Sequence, residues 1–124
     1  DPASPNTTMY ASYPGGTLKK TTNANAGSAI VWNNTYPSQP QCPQAYVGTL
    51  FANPFLMDPT NGNHLLYSAL GVACQSVDGG ANWTQSAVQA GFYTRAFAIA
   101  PSNSAVVCSL NAYTPRWMFA LCSR

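Results

Sequence analysis

The sequence predicts an all-β chain, and three observations predict it. Ten prolines and nine glycines punctuate the 124 residues too often for long helices. No segment sustains a 3.6-residue apolar period. Short segments rich in β-branched and aromatic residues recur instead, in an order that repeats along the chain.

The repeat defines the organisation. Phe55-Leu-Met-Asp-Pro-Thr-Asn61 is echoed by Phe97-Ala-Ile-Ala-Pro-Ser-Asn103, an offset of 42. Leu65-Leu66-Tyr67-Ser68 is echoed by Val106-Val107-Cys108-Ser109, an offset of 41. The amino terminus joins at an offset of 57, with Asp1-Pro2 over Asp58-Pro59, Asn6 over Asn63, and Met9-Tyr10 over Leu66-Tyr67. Three units follow: 1–57 with an insertion over about 24–50, 58–99, and a shortened 100–124. In the second unit, residues 64–69 and 71–77 read as strands around Gly71, with a tight turn after Val77. Residues 96–100 and 105–111 repeat that pattern across Pro101-Ser-Asn-Ser104, and 116–122 reads as the next strand.

Composition points to a compartment. Apolar residues make up 46% of the chain, enough for a core, and 6% is charged, against roughly 25% in an average soluble domain. Charge-driven disorder is excluded. The eight charges (Asp1, Lys19, Lys20, Asp58, Asp78, Arg95, Arg116, Arg124) form no basic stripe, which argues against nucleic-acid binding. Apolar runs fall far short of the ~20 residues that span a bilayer. The chain opens at Asp1 without a signal peptide, so the expectation is a processed mature chain or a piece of a longer one.

Four cysteines without a CxxC spacing argue against metal and redox motifs and for two disulfides in a secreted protein. Of the three possible pairings, Cys108–Cys122 across the hairpin at Thr114-Pro115 is favoured, which leaves Cys42–Cys74. Sequons at Asn6, Asn33 and Asn82 permit N-glycosylation, although the Asn, Ser and Thr content makes roughly two expected by chance.

Ser76-Val77-Asp78-Gly79-Gly80-Ala81-Asn82-Trp83 fits Ser/Thr-x-Asp-x-Gly-x-x-Trp and resembles the Asp-box, or BNR repeat, of sialidases, sortilin-type receptors and xyloglucanase-type glycosidases. The local logic is physical. A carboxylate at a hairpin tip (Asp78) accepts bonds from the turn's own N–H groups. A glycine (Gly80, with Gly79) supplies the positive φ, and the tryptophan (Trp83) folds back to bury its ring. The resemblance implies β-propeller blades, antiparallel four-stranded sheets, about two to three of them and incomplete at both ends. In such blades an Asp-Pro-x-Asn stretch precedes the second strand and the box joins the third to the fourth; Asp58-Pro-Thr-Asn61 and the box stand in that order. In the first unit Thr21-Thr22-Asn23-Ala24 sits where a box is expected, with Asn23 replacing the Asp and Trp32 displaced, so that copy is degenerate or carries an insertion. Because 124 residues cannot close a ring of four to eight blades, the expectation is a segment of a larger propeller. The alternative is several copies joined through open sheet edges.

Catalysis is poorly provided for. A glycosidase needs two carboxylates, and the three acids are a terminal Asp1, the turn residue Asp58 and the box residue Asp78. There is no glutamate, which the sialidase-like and Asp-box ribonuclease resemblances would both demand. His64, the sole histidine, is a repeat position at a strand start and makes neither triad nor metal site. No catalytic residue, metal ligand or cofactor is therefore assigned. Trp83, Tyr10 and Tyr67 read as packing, whereas Tyr93, Tyr113 and Trp117 lie in or beside loops and are the ligand-facing candidates. The leading expectation is a secreted, non-catalytic segment that binds glycans or extracellular protein. Two alternatives stand beside it: a self-assembling subunit of an extracellular fibre or surface layer, and a fragment of a propeller glycoside hydrolase with its acids elsewhere.

Overall fold

The computed structural model describes residues 1–15, 17–37, 42, 53–69, 72–86, 93–114 and 117–123. Residues 38–41 and 43–50 of the expected insertion, Gly71, Pro115, Arg116 and Arg124 lie outside them. Among the described residues the chain is all-β and antiparallel; its one helical element is the 3-10 turn Gly27–Ala29.

Ten strands form three sheets in chain order. The first holds β1 (Met9–Tyr13), β2 (Thr17–Thr21) and β3 (Asn33–Asn34). The second holds β4 (Phe55–Asp58), β5 (Asn61–Ala69), β6 (Val72–Ser76) and β7 (Thr84–Gln85), each strand beside its chain neighbour. The third holds β8 (Tyr93–Ala100), β9 (Asn103–Thr114) and β10 (Trp117–Ser123), with β9 central. The unit boundaries expected at 58 and 100 fall at the β4–β5 and β8–β9 turns, so the sequence unit runs one strand out of phase with the sheet.

Side-chain alternation decides how the sheets pack. Leu65, Tyr67 and Cys74 form one face of the second sheet with the partly buried Phe55, Met57 and Val72, and this face packs on Leu18 and Tyr10 of the first. On the opposite face Leu66, Ala73 and Leu56 meet Ile99, Val107 and Phe97 of the third. The second sheet is thus covered on both sides, which is why Leu65-Leu66-Tyr67 reads as a continuous apolar run instead of an alternating one.

The strand registers refine the repeat. Asp58 opposes Asn61 and Met57 opposes Leu65, whereas Ala100 opposes Asn103 and Ile99 opposes Val107. One offset of 42 therefore relates β4 and β5 of the second sheet to β8 and β9 of the third, and Leu65 corresponds to Val107. Between the first and second sheets Met9 opposes Thr21 as Leu65 opposes Ser76, so Met9 corresponds to Leu65. Both expected matches, 41 for Leu65–Ser68 and 57 for Met9-Tyr10, are displaced by one residue. Where both faces of a strand are apolar, sequence similarity carries no phase, and a one-residue slip exchanges the faces. With the corrected phase, corresponding residues face the same way in all three sheets: Leu65 toward the first sheet, Val107 toward the second, Met9 outward.

Candidate functional site

The best-defined local structure is the hairpin between β6 and β7. Ser76 Oγ donates to Asp78 Oδ1 at 2.8 Å and accepts from the backbone N–H groups of Gly80 (2.8 Å) and Asp78 (3.3 Å). Asp78 Oδ1 also accepts from the Asn82 backbone N–H at 2.8 Å, and Asp78 Oδ2 from Asn82 Nδ2 at 2.7 Å. These bonds, those from Asn82 foremost, hold the Asp78 carboxyl down at about 2 against a smaller opposing effect of burial. Gly79 and Gly80 turn with φ of 69° and 87°, the left-handed region that glycine enters without a Cβ penalty. Trp83 closes the loop: it is 4% exposed, meets Tyr67 edge-on at 6.0 Å, and its Nε1–H donates to the Thr35 carbonyl of the first sheet at 2.7 Å.

The first sheet builds the same device with different residues. Thr21 Oγ1 donates to Asn23 Oδ1 at 2.7 Å, the Asn23 N–H donates back to Thr21 Oγ1 at 3.2 Å, and the Val31 N–H donates to Asn23 Oδ1 at 3.0 Å. Thr21 stands for Ser76, Asn23 for Asp78 and Val31 for Asn82. Trp32 follows Val31 as Trp83 follows Asn82, and β3 follows as β7 does. The displacement of Trp32 is four extra residues, accommodated by the turn at Gly27–Ala29 and clipped by Asn23 Nδ2 to the Ala29 carbonyl at 3.0 Å.

Turn chemistry repeats at the start of the central strands. Asp58 Oδ1 accepts from the Thr60 N–H (2.8 Å) and Thr60 Oγ1 (2.7 Å), while Asp1 Oδ1 accepts from the Ala3 N–H at 2.8 Å. Asn61 Oδ1 accepts from the Asn63 N–H and Asn103 Oδ1 from the Ala105 N–H, both at 3.1 Å. Asp58 is 1% exposed and its other oxygen lies 3.3 Å from His64 Nδ1. Burial opposes its charge, yet the two Thr60 bonds and His64 together leave its carboxyl below the usual value. Sequence reasoning treated His64 as filler; its spacing of six from Asp58, across the β4–β5 turn, is the signal that was available. The pair is a buried brace, closed to substrate.

Two concavities flank the first sheet. One lies against the second sheet and is lined by Lys20, Thr22, Asn33, Asn34, Thr35 and the backbone of 79–81. Part of its polar lining is engaged: Lys20 Nζ, with the neighbouring Tyr10 Oη, donates to the Gly79 carbonyl at 2.9 Å, and Thr35 Oγ1 to the Gly80 carbonyl at 2.7 Å. The other lies on the outward face, between Ala11, Tyr13, Lys19 and Trp32, with Lys19 Nζ 5.4 Å from the centre of the Tyr13 ring. Tyr13 is 60% exposed and Trp32 39%.

The remaining candidates are placed as follows. Tyr93 opens β8 opposite Ala112, Tyr113 lies near the end of β9, and Trp117 opens β10 opposite Thr114. The backbone thus gathers all three at one end of the third sheet, away from the Ala100–Asn103 turn. Beneath that end Thr94 Oγ1 donates to Asn111 Oδ1 (2.9 Å) and Asn111 Nδ2 to Ser109 Oγ (2.8 Å), all three residues buried. Cys42 is joined to Cys74, and Cys108 to Cys122, directly opposite it on the neighbouring strand. Asn6, Asn33 and Asn82 are exposed, although Asn82 already serves Asp78. Among the described residues no three His, Cys, Asp or Glu side chains gather as metal ligands, and no helix is long and apolar enough to cross a membrane. No known family matches the chain, and no curated protein stands out as a relative.

Proposed function

We propose that this chain is a secreted, non-catalytic binding module made of Asp-box β-propeller blades, with glycan as its ligand. The propeller reading is supported by the second sheet, a four-stranded meander whose box joins its third strand to its fourth, and by face-to-face stacking of three sheets in one orientation. Two disulfides suit an oxidising compartment. The absence of catalysis is supported by the three carboxylates, each engaged by its own turn. The observation that carries ligand binding is the convergence of Tyr93, Tyr113 and Trp117 at one sheet end. Aromatic rings offer apolar faces to the C–H-rich side of sugar rings, and loop edges are where binding residues concentrate.

Retention on immobilised glycans tests this reading. The unmodified chain is retained and eluted by free sugar, and Trp117→Ala and Tyr113→Ala each lose retention while keeping the native circular dichroism spectrum. Retention untouched by both substitutions, or release of reducing sugar by the purified chain, overturns it.

A further inference from the structure

We infer that the outward face of the first sheet is a docking surface for the outward face of the third sheet of a second copy of this chain. The argument starts from correspondence inside one molecule. Met9, Ala11, Lys19 and Trp32 occupy the positions that Leu65, Tyr67, Cys74 and Trp83 hold in the second sheet, and there those positions are covered by the preceding sheet. Trp83 is 4% exposed under that cover, whereas Trp32 without it is 39% exposed, next to Met9 at 47% and Tyr13 at 60%. At the other end of the stack Ala98 and Cys108 occupy the positions of Leu56 and Leu66, which the following sheet covers. Leu110, Ala96, Ala120 and Cys122 extend that face in register around a disulfide, with the exposed Arg95 beside them at the bulge between Thr94 and Ala96. The three described sheets therefore present one face of the kind that receives a sheet and one of the kind that offers one, and the contact already made twice within the molecule is the one a second copy repeats. Lys19 lies on this face with its ammonium 5.4 Å from the centre of the Tyr13 ring and an apolar stem.

The same contact fixes the number of copies. A contact between unlike faces closes into a ring or runs on as a filament. Resting on the propeller reading above, the three described sheets of two such 124-residue chains make six, within the four to eight that close a propeller, and those of three exceed that range. The expected assembly is a dimer in which each copy gives its third sheet to the first sheet of the other. This differs from pairing through strand edges, because it buries faces and leaves the edges alone.

Light scattering coupled to size exclusion tests it on the intact, oxidised chain. The expected mass is twice the 13.2 kDa of one chain. Trp32→Arg on one face and Ala120→Glu on the other each yield monomer with unchanged near-ultraviolet circular dichroism, weakening association at least about 30-fold, as loss of an interface hot spot does. Asn25→Arg, on an exposed loop off both faces, leaves the dimer intact. Mixing the Trp32→Arg and Ala120→Glu chains restores a one-to-one pair, since one interface then joins two unaltered faces. A monomer at millimolar concentration, a dimer indifferent to both face substitutions, an open series of larger species, or no recovery on mixing each overturns the inference. Glycan retention is read separately on Trp117→Ala, so loss of one property leaves the other standing. An annular particle seen by electron microscopy reports on the propeller reading alone.

Discussion

Trp32 and Trp83 hold the same position in two sheets, each following the residue whose N–H closes a box, yet one is 39% exposed and the other 4%. The difference is made by the neighbour and not by the hairpin. Trp83→Ala is expected to cost about 3–5 kcal/mol, in the range for a buried aromatic. In the dilute, monomeric chain Trp32→Ala stays within about 0.5 kcal/mol. Urea unfolding of both variants checks the contrast, and equal losses would contradict the assignment.

The two glycines of the box are not equivalent. Both have positive φ, so alanine at either is expected to cost about 1–2 kcal/mol. At Gly79 the added methyl meets the end of the Lys20 side chain at 3.0 Å and Tyr10 Oη at 3.2 Å, contacts that a shift of a few tenths of an ångström relieves. At Gly80 it runs into Thr35 Oγ1, which is held by its bond to the Gly80 carbonyl. Gly80→Ala is therefore the more damaging of the two in thermal or urea unfolding.

Acid stability follows from the carboxylates. The Asp78 carboxyl is lowered to about 2 and the Asp58 carboxyl is also lowered from the ordinary 3.8. A depressed folded-state value means stability that is present in full above about pH 4 and drains away as pH falls toward 2. Asp78→Asn should lower stability at pH 6 and lose that disadvantage progressively by pH 2. Urea midpoints across that window read the effect; a gap that stays constant with pH would speak against it.

The disulfides are expected to differ in worth. By loop closure, Cys42–Cys74 with a separation of 32 residues contributes about 3.7 kcal/mol, and Cys108–Cys122 with 14 contributes about 3 kcal/mol. Paired Cys→Ser substitutions, Cys42 with Cys74 and Cys108 with Cys122, measure each by urea unfolding. The first pair should be the costlier, because it also sits in the core with Leu65 and Trp83.

Strand chemistry was legible in this sequence, and the partnership of faces was not. The all-β class was plain from proline and glycine spacing, and the Ser76–Trp83 signature named its own hydrogen bonds. The repeat alignment slipped by one residue because Leu65, Leu66 and Tyr67 are all apolar, which leaves period-two pairing undetermined. The first-sheet box was obscured by four extra residues that only backbone geometry bridges. Asp58 and His64 looked unrelated because neither alone signals a buried hydrogen-bonded contact. The clamp on Gly79, drawn from Tyr10 and Lys20 some 60–70 residues away, has no local signature at all.

The middle sheet sets the order in which the molecule comes apart. Residues 65–67 of β5 are buried, bonded to strands on both sides and roofed on both faces. An amide there meets solvent deuterium only after the first and third sheets have both let go, so its exchange is a clock for whole-chain opening. Edge strand β1 keeps faster time, and the interval between the two clocks measures how far the outer layers breathe while the centre holds.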